Sequence, residues 1–134
     1  MEEQDNRRSV ADPQHLARLL VSRANSGDVE GMAALYEPGA VLARSNQQNL
    51  VGREAIRKFY TELISTGINF HLGEQRDAIV CGDIALTSTR LPHGHVTAEV
   101  ARRQSDGSWL WAIDQPAIAL TGEKAVGTAD GKDR

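Results

Sequence analysis

The chain has 134 residues, a net charge of −3 and a hydrophobic share of 40%, which together indicate one globular domain. Without a block of like charge or a long apolar run, we expect no nucleic-acid surface and no membrane segment. The single cysteine, Cys81, excludes an intrachain disulfide. Because MEEQDNRRSV lacks the apolar region of a secretory signal, we expect a cytoplasmic location.

The first part of the chain predicts an arm followed by two helices. Residues 1 to 12 are polar with mixed charge, and we expect them to form a disordered arm. Asp12 and Pro13 then begin a helix, because Asp caps free backbone amides and Pro suits the first helical position. A second helix begins after Asp28 and carries Tyr36 on its apolar side, and the Pro-Gly pair that follows ends it.

The middle of the chain predicts two short strands and a third helix. The segment AVLARS (residues 40 to 45) reads as one strand, and LVG (residues 50 to 52) as its return. The segment REAIRKFYTELIST, which follows Gly52, predicts a helix whose apolar stripe includes Phe59 and Tyr60.

The rest of the chain predicts strands and then a tail. Residues 68 to 119 alternate in polarity between X-Gly turns, which indicates an antiparallel meander. Residues 120 to 134 are rich in glycine and charge and predict a disordered tail. We therefore expect residues 13 to 119 to form one α+β domain, with the helices on one face of the sheet.

The stretch TAEVARRQSDGSWLWAIDQP predicts a hairpin in which two acids lie opposite each other. If Asp106-Gly107 is a two-residue turn, Glu99 pairs with Asp114, with their Cβ atoms about 5 Å apart. With His93-Gly94 as the preceding turn, the same pairing brings Ser88 opposite Glu99. One face then collects Ser88, Arg90, Thr97, Glu99 and Asp114, and the more apolar face includes Val100, Trp109, Trp111 and Ile113.

Hydrophobic patterning alone leaves two readings of this sheet open. If the helices cover the apolar face, both acids lie in water, which is the usual place for an acid on a strand. If the helices cover the polar face, the acids line a cleft. In that cleft they form either a charge cluster that neutralises a polar wall or a catalytic pair.

Four stretches, in this order, resemble a known superfamily: NSGDVEGMAALYEPGAVLA, GREAIRKFYTELI, GDIAL and AEVARRQSDGSWLWAIDQP. They resemble the nuclear transport factor 2-like superfamily, which includes ketosteroid isomerase, scytalone dehydratase and the SnoaL-like polyketide cyclases. The resemblance covers about residues 13 to 118 and is greatest to small bacterial SnoaL-like proteins. It implies a cone-shaped α+β barrel with three N-terminal helices on the concave face of a strongly curved, mainly antiparallel sheet.

This resemblance places the polar face in a ligand pocket and the apolar face at a homodimer interface. In that pocket we expect Glu99 and Asp114 to carry the catalysis, with Arg90, or alternatively Arg44, holding one acid ionised and orienting the substrate. The dimer is expected to form through the convex face of the sheet, around Val100, Trp109, Trp111 and Ile113. The implied pocket residues are Leu20, Tyr36, Arg44, Phe59, Tyr60, Ser88 and Thr97.

The same resemblance excludes steroid isomerisation by the ketosteroid isomerase mechanism. That enzyme uses a tyrosine, a carboxylate base and a protonated acid. Aligned through GDVEGMAALY, the tyrosine position falls on Leu20 and the base position on Arg44, and only the third position keeps an acid, Glu99.

The acid pair leaves three functions open. Two carboxyl groups at cross-strand distance in a shielded cleft raise the pKa of one of them, which suits an acid–base enzyme acting on a hydrophobic or polyketide-like substrate. The alternatives are a ligand-binding or sensing protein with the same pocket, or a dimeric interaction module. His93 and His95 lack the spacing of a common zinc site, so we expect no metal and no cofactor.

Overall fold

The computed structural model describes residues 10 to 44 and 47 to 118, and within them three helices lie against one mixed sheet. Most of the predicted arm and all of the predicted tail fall outside these residues. The helices are α1 (Leu16–Asn25), α2 (Val29–Ala33) and α3 (Arg53–Ser65), and the strands are β1 (Tyr36–Leu42), β2 (Leu50–Val51), β3 (Glu74–Gln75), β4 (Ile79–Cys81), β5 (Ile84–Thr87), β6 (Thr89–Arg90), β7 (Val96–Arg103) and β8 (Trp109–Ile118).

The predicted capping residues begin the first two helices. The Asp12 carboxylate accepts a hydrogen bond from the Gln14 amide and caps a 3₁₀ turn that leads into α1. The Asp28 carboxylate accepts from the Gly31 amide at 2.9 Å and caps α2. The end of the predicted arm is held on the sheet, because the carbonyl of Val10 accepts from the Trp109 amide at 2.8 Å.

The sheet runs in the order β2-β1-β8-β7-β5-β4, with β6 also beside β7 and β3 paired to β6. All of these pairs are antiparallel except β1 with β8, which is parallel. The described strands do not close into a complete ring. This arrangement confirms the predicted α+β class with a mainly antiparallel sheet.

The second predicted helix is too long. It ends at Ala33, and Tyr36 instead opens β1, with the Pro-Gly pair inside the strand. An irregular register between Tyr36 and Val41 accommodates that pair. The guanidinium of Arg53 donates to the Tyr36 carbonyl through Nε at 2.9 Å and through its terminal nitrogen at 2.6 Å, which fixes the start of the strand.

Both long hairpins turn through three residues, so the predicted two-residue turns are wrong. Gln104 pairs with Ser108 across one loop, and Leu91 pairs with His95 across the other. Gly107 (φ 88°) and Gly94 (φ 100°) take the left-handed position that ends each loop. This is the common three-residue hairpin, a type I turn followed by a left-handed glycine.

In the β7–β8 hairpin, a bulge in β8 cancels the effect that the wrong turn length has on the strand register. Ala101 pairs with Trp111 and Val100 with Ile113, which leaves Ala112 as an extra residue on β8. Beyond the bulge Glu99 lies opposite Asp114, which confirms the predicted pair. The bulge also turns Trp109 and Trp111 to the same face as Asp114. We call this face, which packs against α1 and α3, the inner face, and the opposite one the outer face.

In the hairpin of β5 and β6 with β7, no bulge compensates for the wrong turn length. The predicted faces of β5 and β6 are therefore reversed. Thr87 lies opposite Glu99, and Arg90 lies opposite Val96. Thr87 is therefore on the inner face, whereas Ser88 and Arg90 belong to the outer face. Arg90 is exposed to solvent. The predicted catalytic role of Arg90 and pocket role of Ser88 have no support in this geometry.

The core lies between the helices and the inner face. Its largest fully buried side chains are Trp111, Tyr36, Leu16, Met32, Leu35, Leu42 and Ile56. Trp109 is also buried, at 5% exposure. Placing Trp109 and Trp111 on a partner-binding face was therefore wrong, because the bulge at Ala112 reverses their direction. Val100 and Ile113 do lie on the outer face, as predicted.

Candidate functional site

A cavity of about 230 Å³ opens between α1, α3 and the inner face of the sheet. Its walls are mostly aliphatic and aromatic, and both acids of the central pair reach it. Helix residues include Ala17, Leu20, Phe59, Tyr60 and Leu63, and sheet residues include Leu42, Thr89, Thr97, Glu99, Trp111 and Asp114. The segment between α3 and β3 adds Phe70, His71, Leu72 and Gly73. An apolar cavity with a few convergent polar groups is the usual form of a small-molecule site.

Glu99 is held by a chain of donors from the inner face. The Thr87 hydroxyl donates to Glu99 Oε1 at 2.5 Å, and Trp111 Nε1 donates to Thr87 Oγ1 at 3.2 Å. Glu99 is only 5% exposed. These bonds fix one carboxyl oxygen against the sheet.

Asp114 is held by a pair of tyrosines. The Tyr36 hydroxyl donates to Asp114 Oδ2 at 2.6 Å, and the Tyr60 hydroxyl lies 2.8 Å from the Tyr36 hydroxyl. Because Tyr36 gives its only hydroxyl proton to Asp114, Tyr60 is the donor to Tyr36. Tyr36 is completely buried behind Asp114, and its ring centroid lies 5.4 Å from that of Trp111.

Burial raises the pKa values of both acids, and the charge of Asp114 adds to the rise at Glu99. Burial, followed by the charge of Asp114, raises the pKa of Glu99 to about 7, against the opposing hydrogen bonds of Thr87 and Thr97. Burial raises the pKa of Asp114 to about 6, and the Tyr36 hydrogen bond opposes that rise. Near neutral pH the pair therefore exchanges a proton readily while carrying net negative charge.

The tyrosines act as hydrogen-bond donors rather than as acids. Burial, followed by the charge of Asp114, raises the pKa values of Tyr36 and Tyr60. Their protons therefore stay in place at neutral pH and hold Asp114.

The structure brings together six of the residues predicted for the site. Glu99, Asp114, Leu20, Phe59, Tyr60 and Thr97 all line this cavity. Tyr36 supports Asp114 from behind. Arg44 lines a neighbouring cavity of about 410 Å³. The Ser88 hydroxyl instead donates to the Thr97 carbonyl at 2.7 Å.

Trp111 was predicted on the opposite face of the sheet, and Thr87 was not among the predicted site residues. A local signal for the correct loop length exists in Pro92-His93-Gly94 and Ser105-Asp106-Gly107. Pro92 suits the first central position of a type I turn, with the glycine two positions later. The bulge at Ala112 has no comparable signal in the sequence.

Within residues 10 to 44 and 47 to 118, no group of three or more His, Cys, Asp or Glu side chains is arranged to hold a metal ion. No helix in these ranges has the length and apolar character needed to span a bilayer.

Comparison with known proteins identifies the fold. The family model of the SnoaL-like domain matches residues 17–120. Among curated proteins, no significant match is found.

Solved structures superpose well at low sequence identity. A ketosteroid isomerase-like protein from Erwinia carotovora atroseptica is 18% identical, with a TM-score of 0.64 over 82% of this chain and 96% of that one. A nuclear transport factor 2-like protein with a cystatin-like fold from Novosphingobium aromaticivorans is 21% identical, with a TM-score of 0.64 over 85% and 83% of the two chains. A proposed dehydratase of the same superfamily from Streptomyces avermitilis is 17% identical, with a TM-score of 0.62 over 79% and 93%.

Proposed function

Since the chain belongs to the SnoaL-like domain family, and its apolar cavity ends on two buried acids, we propose that it is an acid–base enzyme acting on a small hydrophobic substrate without a cofactor. The observation that carries this proposal is the direct pairing of Glu99 with Asp114 on the cavity wall. Structural neighbours described as isomerase-like or as a proposed dehydratase fit it, because both reactions proceed by proton transfer.

The two acids have different environments and therefore different roles. With a pKa of about 7, Glu99 takes up and releases a proton near neutral pH, which suits a general acid or base. Asp114 accepts the Tyr36 hydrogen bond and stays ionised more readily, with a pKa of about 6. Its charge helps to raise the pKa of Glu99, so Asp114 is a positioning and tuning partner.

The cavity walls indicate an aromatic or alicyclic substrate. The rings of Phe59 and Phe70 both pack near Tyr60, with centroids 5.3 and 6.5 Å from that ring. Such a wall suits the face of a planar or ring-shaped carbon skeleton. A substrate seated there places a carbonyl or hydroxyl group toward the two acids.

The test is proton exchange on bound ketones. Ring ketones that raise the melting temperature of the protein are incubated with it in D₂O, and deuterium uptake beside the carbonyl is followed by NMR. We expect wild-type protein to exchange these protons and Glu99→Gln to lose at least about a hundredfold of the rate, the usual contribution of a general acid or base. Glu74→Gln, a matched change at an exposed position on β3, is expected to keep the rate.

Binding without exchange would favour the alternative of a ligand-binding or sensing protein. Equal rates for wild type and Glu99→Gln would remove Glu99 from the chemistry. Ligand binding itself is expected to survive Glu99→Gln, because the amide keeps an oxygen to accept from Thr87.

We also propose that a second copy of the chain covers the outer face. One apolar residue from each of six strands forms a continuous row across this face, here called the outer row. The outer row consists of Val51, Val41, Ile113, Val100, Leu86 and Ile79. Four of these side chains are strongly exposed: Val51 at 68%, Ile79 at 66%, Ile113 at 50% and Leu86 at 45%. A row of this kind fits the same row of a second copy related by a two-fold axis.

Light scattering on a sizing column tests this homodimer. We expect wild-type protein to elute as a dimer at micromolar concentration and Ile113→Lys as a monomer. Ala34→Lys places the same charge at an exposed site away from the outer row and is expected to remain dimeric. A monomeric wild type would exclude the proposed interface.

A further inference from the structure

A second cavity adjoins the one that contains the acids, and its lining is different. It measures about 410 Å³ and shares Leu42, Phe59 and Pro116 with the acid cavity. Pro116 is exposed and Phe59 is half-buried, so the two cavities meet near the surface. Among the described residues, the lining that is not shared is mostly polar: Ala43, Arg44, Gln47, Asn49, Gln115 and Ala117.

Arg44 gives this second cavity a positive charge. Its side chain is half-buried, and its Nε donates to the Gln48 carbonyl at 3.0 Å. Three other arginines are paired with acids: Arg57 with Glu54, Arg102 with Glu37 and Arg103 with Asp83. Within residues 10 to 44 and 47 to 118, no carboxylate lies within ion-pair distance of Arg44. A guanidinium presented in this way suits an anionic group.

The acid pair therefore disfavours an anionic group in the first cavity, whereas Arg44 favours one in the second. The pair carries negative charge at neutral pH and repels an anion from the floor of the first cavity. The chain as a whole has a net charge of −3, so only a local cation favours an anionic ligand. Arg44 supplies that cation beyond Phe59 and Pro116.

We propose that the second cavity is an anion subsite and that the ligand is amphipathic, with an apolar body beside Glu99 and Asp114 and one carboxylate or phosphate group at Arg44. This inference rests on the proposed function, because it assumes that the first cavity receives an apolar ligand. It makes Arg44 a specificity-determining residue. Phe59 and Pro116, which line both cavities, contact the ligand between its two ends.

Two fluorescent probes that differ by one sulfonate group test the subsite. 8-Anilinonaphthalene-1-sulfonate carries a sulfonate, and N-phenyl-1-naphthylamine is the same skeleton without it. We expect Arg44→Gln to weaken binding of the sulfonate probe about tenfold or more, the effect of losing one charge-assisted bond. Binding of the neutral probe should change less than about twofold, since its apolar contacts remain.

The control is Arg90→Gln, which removes the same charge from the outer face. Because Arg90 is exposed there, this variant also reports any binding of the anion to that face, and both affinities should be unchanged. Arg44→Lys should recover part of the preference for the sulfonate.

Three results would overturn the subsite. If Arg44→Gln leaves the ratio of the two affinities unchanged, the subsite is wrong while the proposed function stands. If Arg90→Gln lowers that ratio as much as Arg44→Gln does, the charge effect is not local to the subsite. If neither probe binds wild-type protein, the cavity receives no such ligand, and the proposed function fails with the subsite.

Displacement of the bound sulfonate probe identifies the anionic group. Decanoate and decyl phosphate compete with decanol as the neutral reference. Stronger displacement by either anion supports the subsite and names its preferred group, whereas equal displacement by all three overturns it.

Discussion

At the centre of the sheet, the buried inner face carries acids and the exposed outer face carries aliphatic side chains, which is the opposite of the usual distribution. On the inner face, Glu99 and Asp114 are 5% and 3% exposed, although charged groups rarely lie in a protein interior. On the outer face directly behind them, Ile113 and Leu86 are 50% and 45% exposed. The same strands therefore bury acids and expose aliphatic side chains.

The buried acids of the inner face lower the stability of the fold, so their position calls for a reason other than stability. A buried acid lowers stability unless hydrogen bonds offset the loss of water. Here Thr87 and Tyr36 supply only part of that compensation, because both acids keep raised pKa values. The contrast supports the proposals that the inner face takes part in ligand chemistry and that the outer row binds a second copy of the chain. Trp111 and Tyr36 supply the buried apolar area that the acids do not.

The largest expected effect compares two residues of β8 on opposite faces. Trp111→Ala removes a fully buried ring and the donor to Thr87, and we expect the free energy of unfolding to fall by about 3–5 kcal/mol. Ile113→Ala is expected to cost less than about 1 kcal/mol in a monomer, because half of the side chain is already in water. Denaturant titration measures both values.

Protein concentration sharpens this comparison. If the outer row is a dimer interface, the cost of Ile113→Ala rises with protein concentration, whereas the cost of Trp111→Ala stays the same. Trp111→Phe keeps most of the packing and isolates the indole hydrogen bond. A cost below 1 kcal/mol for Trp111→Ala would contradict its place in the core.

The pH dependence of stability gives the next largest effect. The folded-state pKa of Glu99 is about 7, above its ordinary value of 4.5. Folding therefore favours the protonated form, so the contribution of Glu99 to stability is fully present below pH 4.5 and is lost as the pH rises through 7. At pH 8 we expect Glu99→Gln to be more stable than wild type by on the order of 2 to 3 kcal/mol, and the gain should shrink toward zero near pH 4.5.

Urea titrations at several pH values check this sign. Glu74→Gln changes an exposed acid and should keep the pH profile of wild type. A stability difference between Glu99→Gln and wild type that does not grow from pH 5 to pH 8 would contradict the raised pKa of Glu99.

Much of the fold could be predicted because its signals are local. Asp28 as a cap, Gly52 before α3 and the alternating strands all depend on neighbouring residues, and the structure has each of them in place. The end of α2 could not be predicted in this way. Tyr36 leaves the helix for β1 because the Arg53 guanidinium and the parallel strand β8 hold it, and both are distant in sequence.

The site shows the same division between local and distant causes. The pairing of Glu99 with Asp114 was predicted correctly although the turn length was wrong, since the bulge at Ala112 shifts the register back by one residue. The predicted faces of Trp111 and Arg90 were wrong because the predicted register was off by one residue at both positions. A shift of one residue moves a side chain to the other face of the sheet. Loop length is readable from the sequence, but a bulge depends on packing against the rest of the sheet.

A smaller effect on stability is expected from a change at Tyr36, the buried tyrosine that donates to Asp114. Tyr36→Phe removes the donor to Asp114 and the acceptor for Tyr60, and we expect a loss of about 1–2 kcal/mol of stability. The pKa of Asp114 should rise further, because the hydrogen bond that lowers it is gone. NMR titration of the Asp114 carboxyl carbon measures this shift. Tyr60→Phe, which leaves the bond to Asp114 intact, should move that pKa less.

The smallest effect tests what keeps the two acids opposite each other. Gly107→Ala places a side chain at φ 88° and is expected to cost about 1 kcal/mol of stability. Gly39→Ala, where an added Cβ meets open space, is the control and should cost no stability. If the bulge at Ala112 holds the register, Gly107→Ala lowers stability without changing the titration of Glu99. A changed titration would show instead that the turn itself sets which residues face the cavity.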